Sequence, residues 1–146
     1  MDSKEPTTIT INLLDDLEKT SGVVDIHTQN DFLNVLKLDK AIIYLLVNWS
    51  GPERISRYYV YKAFNDLDKT GVFIFKIDCS DEEKKYIEDW LIGQREKQDF
   101  YFGGWGETLL IEKGEIADFI RNPGHLGLEK TKEKIKEWST CSAATN

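Results

Sequence analysis

AIIYLLVNWSGPER, residues 41–54, is the stretch from which the fold can be read. Ala41 to Val47 is an unbroken apolar run rich in β-favouring residues. A strand with one wet face alternates. A strand buried on both faces reads as a continuous run, and such strands lie inside mostly parallel sheets. Pro52 fits the first turn of a helix, where its missing N–H removes no hydrogen bond. From Glu53 to Lys69, the residues Ile55, Tyr58, Tyr59, Lys62, Ala63 and Leu67 recur at mixed spacings of three and four, which predicts a helix. Thr70-Gly71 ends it. The segment is therefore a buried strand, a tight turn and a helix in succession.

The same reading extends in both directions. Downstream, Val72 to Ile77 is a second buried strand. Asp78, Cys79, Ser80 and Asp81 cap a helix from Glu82 to about Ile92, with Tyr86, Ile87 and Trp90 on its apolar face. Residues 93–106 form a loop rich in aromatics and glycine. Thr108–Ile111 and Ile116–Ile120 flank Lys113-Gly114, which predicts a hairpin. Asn122-Pro123-Gly124 breaks the chain, and Leu128 to Trp138 is a last helix with Ile135 and Trp138 inward. Upstream, Val23–Ile26 is a short strand. Thr28–Asp31 supplies N-caps for a helix through Phe32, Val35 and Leu36 to about Leu38. Residues 1–22 read as a polar N-terminal extension in which Leu13, Leu14 and Leu17 share one amphipathic turn that Gly22 ends. The order βαβαβαββα predicts one α/β domain over residues 23–139, with a central mixed sheet flanked by helices. A flexible tail, 140–146, is expected to follow.

Composition narrows the functional classes. The chain has 146 residues, 40% of them hydrophobic, with Trp 4, Tyr 6 and Phe 7, which is enough apolar surface for a real core. The formal net charge is -7. That balance disfavours nucleic acid and anionic membranes, whose phosphates need clustered cations, and it suits a basic protein partner. There is no apolar run of membrane-spanning length and no basic-then-apolar leader. Cys79 and Cys141 are too few for a disulfide framework, so two free thiols and a cytoplasmic location are expected. No metal-ligand spacing and no GxGxxG occur, so neither a metal nor another cofactor is expected.

Trp49-Ser50-Gly51-Pro52-Glu53-Arg54 resembles the Trp-Cys-Gly-Pro-Cys-Lys/Arg signature of thioredoxins. Glu107 to Glu115 is similar to that family's Pro-Thr-Leu-x-x-Phe-Lys-x-Gly-Glu segment, and Gly124 to Leu128 falls where the family has a glycine loop. The resemblance implies a thioredoxin-like fold over most of the chain. It also implies a loss. Ser50 and Glu53 stand where the two cysteines would be, and a hydroxyl cannot form a disulfide nor a carboxylate resolve one. The family's buried acid falls near Tyr44. Its cis-proline corresponds to Glu107, and a cis bond before a non-proline residue costs about 2.5–4 kcal/mol. A trans Gly106–Glu107 bond is therefore expected, with a carboxylate in the former substrate groove.

Several residues carry two readings. Ser50 is a helix N-cap, or a nucleophile that His125 would activate. Glu53 complements the helix dipole, or joins Arg54 and Arg57 in holding a charged partner. Cys79 is a small packing residue, or a one-thiol redox centre. Phe100 to Gly106, with Trp105, packs under the sheet, or is a recognition patch. The function expected is a redox-inactive, thioredoxin-like protein- or peptide-binding module: an adaptor, a chaperone-like protein or an immunity-type inhibitor. Its candidate surfaces are the turn of Trp49, Ser50, Gly51, Pro52, Glu53 and Arg54, the loop of Trp105, Gly106, Glu107 and Thr108, and the loop of Gly124 and His125. An enzyme using Ser50 with His125, or Cys79, is the alternative.

Overall fold

The computed structural model describes residues 9–47, 53–67, 71–79, 86–87, 89–91 and 105–140. The elements are α1 (Ile11–Ser21), β1 (Val24–Asp25), α2 (Gln29–Val35), β2 (Lys40–Leu46), α3 (Glu53–Asn65), β3 (Val72–Asp78), β4 (Thr108–Glu112), β5 (Glu115–Ile120), α4 (Pro123–Leu126) and α5 (Leu128–Thr140). Residues 86, 87 and 89–91 are also helical. The strands form a 5-stranded sheet in the order β1-β3-β2-β4-β5. β3 pairs in parallel with β1 and β2, and β4 pairs antiparallel with β2 and β5. This is the mixed, helix-flanked sheet that the sequence predicts.

β2 shows why its sequence does not alternate. Ala41, Ile43 and Leu45 enter one core with Phe32, Val35, Ile77 and Leu109. Ile42 and Tyr44 enter the opposite core with Val60, Phe64, Ile74 and Ile135. Each face of the central strand is covered, so every position from Ala41 to Leu45 is apolar or aromatic. Local chemistry sets the joints. The Thr28 hydroxyl accepts from Asp31 N at 3.1 Å and the Asp31 carboxylate accepts from Thr28 N at 3.2 Å, a capping box that starts α2. Lys113 and Gly114 have φ of 53° and 83°, the paired left-handed residues of a tight hairpin turn.

The N-terminal region differs most from expectation. Within the stretch read as a polar extension, residues 11–21 form an 11-residue helix rather than one turn. The Thr10 side chain caps it by accepting from Leu13 N, and Gly22, with φ of 72°, stops it. Leu14 is fully buried against Tyr58 and Tyr59 of α3. α2 ends at Val35 and α3 at Asn65, earlier than their apolar spacing suggests. Asn122-Pro123-Gly124, read as a break, instead opens α4. Asn122 Oδ1 accepts from His125 N at 3.2 Å, and Pro123 occupies the first turn, where no N–H is needed. The expected cap at Ser80-Asp81, the Phe100–Gly104 part of the aromatic loop and Cys141 lie outside the described residues. Among the described residues, no helix is long and apolar enough to cross a membrane.

If α1 is part of the core, Leu14→Ala costs about 2–5 kcal/mol, the transfer loss plus the cavity left behind. Ile11→Ala, on the exposed side of the same helix, stays within about 0.5 kcal/mol of the parent. Urea denaturation of the two variants checks this. Equal costs would show that α1 does not pack as described.

Candidate functional site

The site is built around a carboxylate that has left the surface. Glu53 opens α3 and is only 1% exposed. Its Oε2 accepts from Arg57 Nε and its Oε1 from Arg57 Nη2, both at 2.9 Å. The four-residue spacing puts both side chains on one helix face, and the guanidinium fork matches a carboxylate with two parallel bonds. The Tyr44 hydroxyl, rising from β2, donates to Glu53 Oε2. Burial first, and then the charge and hydrogen bond of Glu53, push the Tyr44 phenol well above its ordinary pKa. Burial alone would lower the Arg57 pKa, but the hydrogen bonds and charge of Glu53 outweigh it and raise it.

A second carboxylate repeats the pattern on the same side of the sheet. The Tyr44 and Tyr61 ring centroids are 6.0 Å apart. The Tyr61 hydroxyl donates to Glu18 Oε2 at 2.8 Å. Lys76 Nζ donates to both Glu18 oxygens, at 2.8 and 2.7 Å. Burial, followed by the nearby Glu18 charge, raises the Tyr61 pKa. α1, α3 and β3 are tied together through this cluster.

Above Glu53, Ser56 joins three segments. It is fully buried. Its hydroxyl donates to Trp105 O at 2.7 Å and accepts from Gly124 N at 2.9 Å, with Asn122 Oδ1 at 3.4 Å. α3, the loop before β4 and the start of α4 thus converge on one oxygen. Gly106 crosses the joint with φ of 84°, and a Cβ there would lie 2.5 Å from Ser56 Cβ and 2.6 Å from the Tyr44 hydroxyl. On the outer side, Ile55 and Trp105 remain 43% and 45% exposed.

The residues singled out by sequence divide accordingly. Trp49, Ser50, Gly51 and Pro52 lie outside the described residues, and with them any Ser50–His125 geometry. Arg54, Trp105 and His125 are exposed, Gly106 is buried and Gly124 half-buried. Glu53, Glu107 and Thr108 are interior. Instead of projecting into a groove, the Glu107 carboxylate turns back on its own loop and accepts from Trp105 N at 3.0 Å. Thr108 Oγ1 donates to Gly106 O at 2.9 Å. No peptide bond among the described residues is cis. Cys79 is half-buried, with Sγ 3.8 Å from Ile77 O. Among the described residues, no group of three or more His, Cys, Asp or Glu is arranged to hold a metal. Ile55, one of the residues at helical spacing, is exposed. The same spacing gives no role to Ser56, although Ser56, Val60 and Ala63 form one helical stripe in which a lone hydroxyl stands out.

No protein-family model matches the chain, and no curated protein matches it. Solved structures do. Thioredoxin of Malassezia sympodialis (Mala s 13) is 17% identical with a TM-score of 0.62, over 81% of this chain and 91% of that one. A mutant thioredoxin from Halobacterium salinarum is 15% identical with a TM-score of 0.61, over 82% and 93%. Spinach chloroplast thioredoxin f, long form, is 14% identical with a TM-score of 0.60, over 86% and 94%. The chain has the thioredoxin fold. At these identities the likeness is one of fold.

The joint makes Gly106 irreplaceable. Gly106→Ala meets both a left-handed backbone and two close atoms, and costs about 2–3 kcal/mol in urea denaturation. A loss within about 0.5 kcal/mol would show that the loop gives way easily.

The tyrosines set an alkaline limit. A phenol whose folded pKa is raised contributes stability that is fully present below the unfolded value, about 10, and is lost as pH climbs past it. Melting temperature therefore falls as pH rises above about 10. Lys132, raised by its hydrogen bond to Asp66, adds to the fall, so the decisive comparison is with Tyr44→Phe and Tyr61→Phe. Each flattens the decline. Unchanged slopes in both would remove the tyrosines as its cause.

Proposed function

We propose that this chain is a thioredoxin-fold binding module without dithiol chemistry. The observation that carries the reading is Glu53. The motif match puts it at the second cysteine's position, and there it is a buried carboxylate clamped by Arg57 and Tyr44. Dithiol reduction of a disulfide requires two protein sulfurs within bonding reach of each other. Ser50 holds the first cysteine's position, and Cys79 is half-buried against the core below the sheet. Recognition is then the work left to this face of the fold.

The surface suits that work. Ile55 and Trp105 are both exposed, on either side of the Ser56–Trp105 hydrogen bond, and aromatic anchors dominate the energetics of protein contacts. The Ser56 joint holds the loops in place before a partner arrives, which lowers the ordering cost of binding. A short stretch of protein or peptide is the matching partner class. Adaptor, chaperone-like and immunity-type roles all fall within this reading.

Two measurements test this. Insulin disulfide reduction with dithiothreitol runs at the no-protein rate; clear turnover overturns the proposal. Dodecapeptides selected from a random phage library on the full chain lose at least tenfold in affinity when Trp105→Ala or Ile55→Asp is introduced. Peptides indifferent to both changes would place recognition elsewhere.

A further inference from the structure

Next to the Ile55–Trp105 surface runs a groove of about 650 Å³, between the end of β5 and the α4–α5 corner. We propose that it receives the acidic part of an extended segment of a partner protein, a proposal that rests on the recognition reading above. The groove adjoins that surface. Asn122 lines it and also reaches the Ser56 joint, while Gly124, on the same helix as His125, packs against Ile55. A segment anchored on Trp105 therefore continues into it.

The lining sets the chemistry. Arg121, His125 and Lys134 supply the basic groups, Asp118 is the acidic one, and Phe119 and Leu126 contribute apolar surface. Lys134 Nζ is 3.5 Å from Asp118 Oδ1, with the two side chains 38% and 45% exposed. So exposed a pair is weakly held, and an incoming carboxylate competes for the lysine on nearly equal terms. Arg121 is exposed and suits a carboxylate with its planar fork. Arg121 and Lys134 against the single Asp118 leave the lining with one excess cation, on a chain whose net charge is -7. Charges beyond about 8–10 Å are screened at physiological salt, so the groove rather than the whole-chain charge decides what fits.

Two other modes fit less well. β5 is the outer strand, and Phe119 N–H already donates to Asp118 Oδ1 at 2.8 Å, which removes one ladder donor beside the groove and favours side-chain charge over strand pairing there. Nucleic acid needs a run of cations along its backbone, and the groove has a short cluster.

The probe is the most enriched dodecapeptide from the random library, synthesised with a fluorescein label and titrated by anisotropy. Enrichment in Asp and Glu beside an apolar residue is expected. Arg121→Glu/Lys134→Glu lowers its affinity at least tenfold. Trp105→Ala also weakens it. Arg121→Gln/Lys134→Gln carries the test if charge reversal lowers the melting temperature. Enriched peptides without acidic bias, or affinity unchanged in the groove variants while Trp105→Ala still weakens binding, overturn the acidic assignment and leave the recognition reading standing. Single-stranded oligothymidylate bound as tightly as the peptide overturns it as well. No enrichment of any peptide overturns both.

Discussion

A charged carboxylate inside a protein must be answered on the spot, and the site is organised around the answer given to Glu53. Leaving such a charge unpaired costs several kcal/mol, so Arg57 and Tyr44 are fixed once Glu53 is buried. Each then constrains something else. Tyr44 belongs to the central strand, so its bond to Glu53 pins the start of α3 to the sheet. The Tyr44 hydroxyl also fills the space above Gly106, which leaves room for no side chain there. Gly106 in turn carries the loop across Ser56, and Ser56 holds α4 through Gly124 N. One buried ion thereby bears on the arrangement of the start of α3, the loop before β4 and the start of α4.

The Tyr44–Glu53 pair spans the contact between the central strand and the start of α3, with its charge on the helix side. Glu18, Tyr61 and Lys76 repeat the arrangement nearby and bind α1 to the body of the fold. Both clusters place a tyrosine between a carboxylate and the hydrophobic core, where the ring packs and the hydroxyl is satisfied.

What the sequence reveals depends on how far apart the interacting residues lie. The two-sided burial of β2 is legible because Ala41 to Val47 is itself the signal. The Lys113-Gly114 turn and the Thr28 cap are likewise local. The α1 helix is obscured because Leu13, Leu14 and Leu17 are interleaved with charges, and their partners Tyr58 and Tyr59 lie far along the chain. The burial of Glu53 has no local mark at all, since an acid following proline at a helix start reads as a response to the helix dipole. Only Arg57, four residues on, hints at pairing, and Tyr44 is reached only through the fold. The exposure of Ile55 is not legible because periodicity does not say where α4 stops covering α3.

The two margins of the sheet have a consequence for how the protein behaves in crowded solution. One margin is β1, only two residues long. At the other, the Asp118 carboxylate occupies the Phe119 amide. Among the described residues, the shortness of one edge and the bonded amide on the other reduce the ladder groups that another copy could pair with, which works against edge-to-edge association.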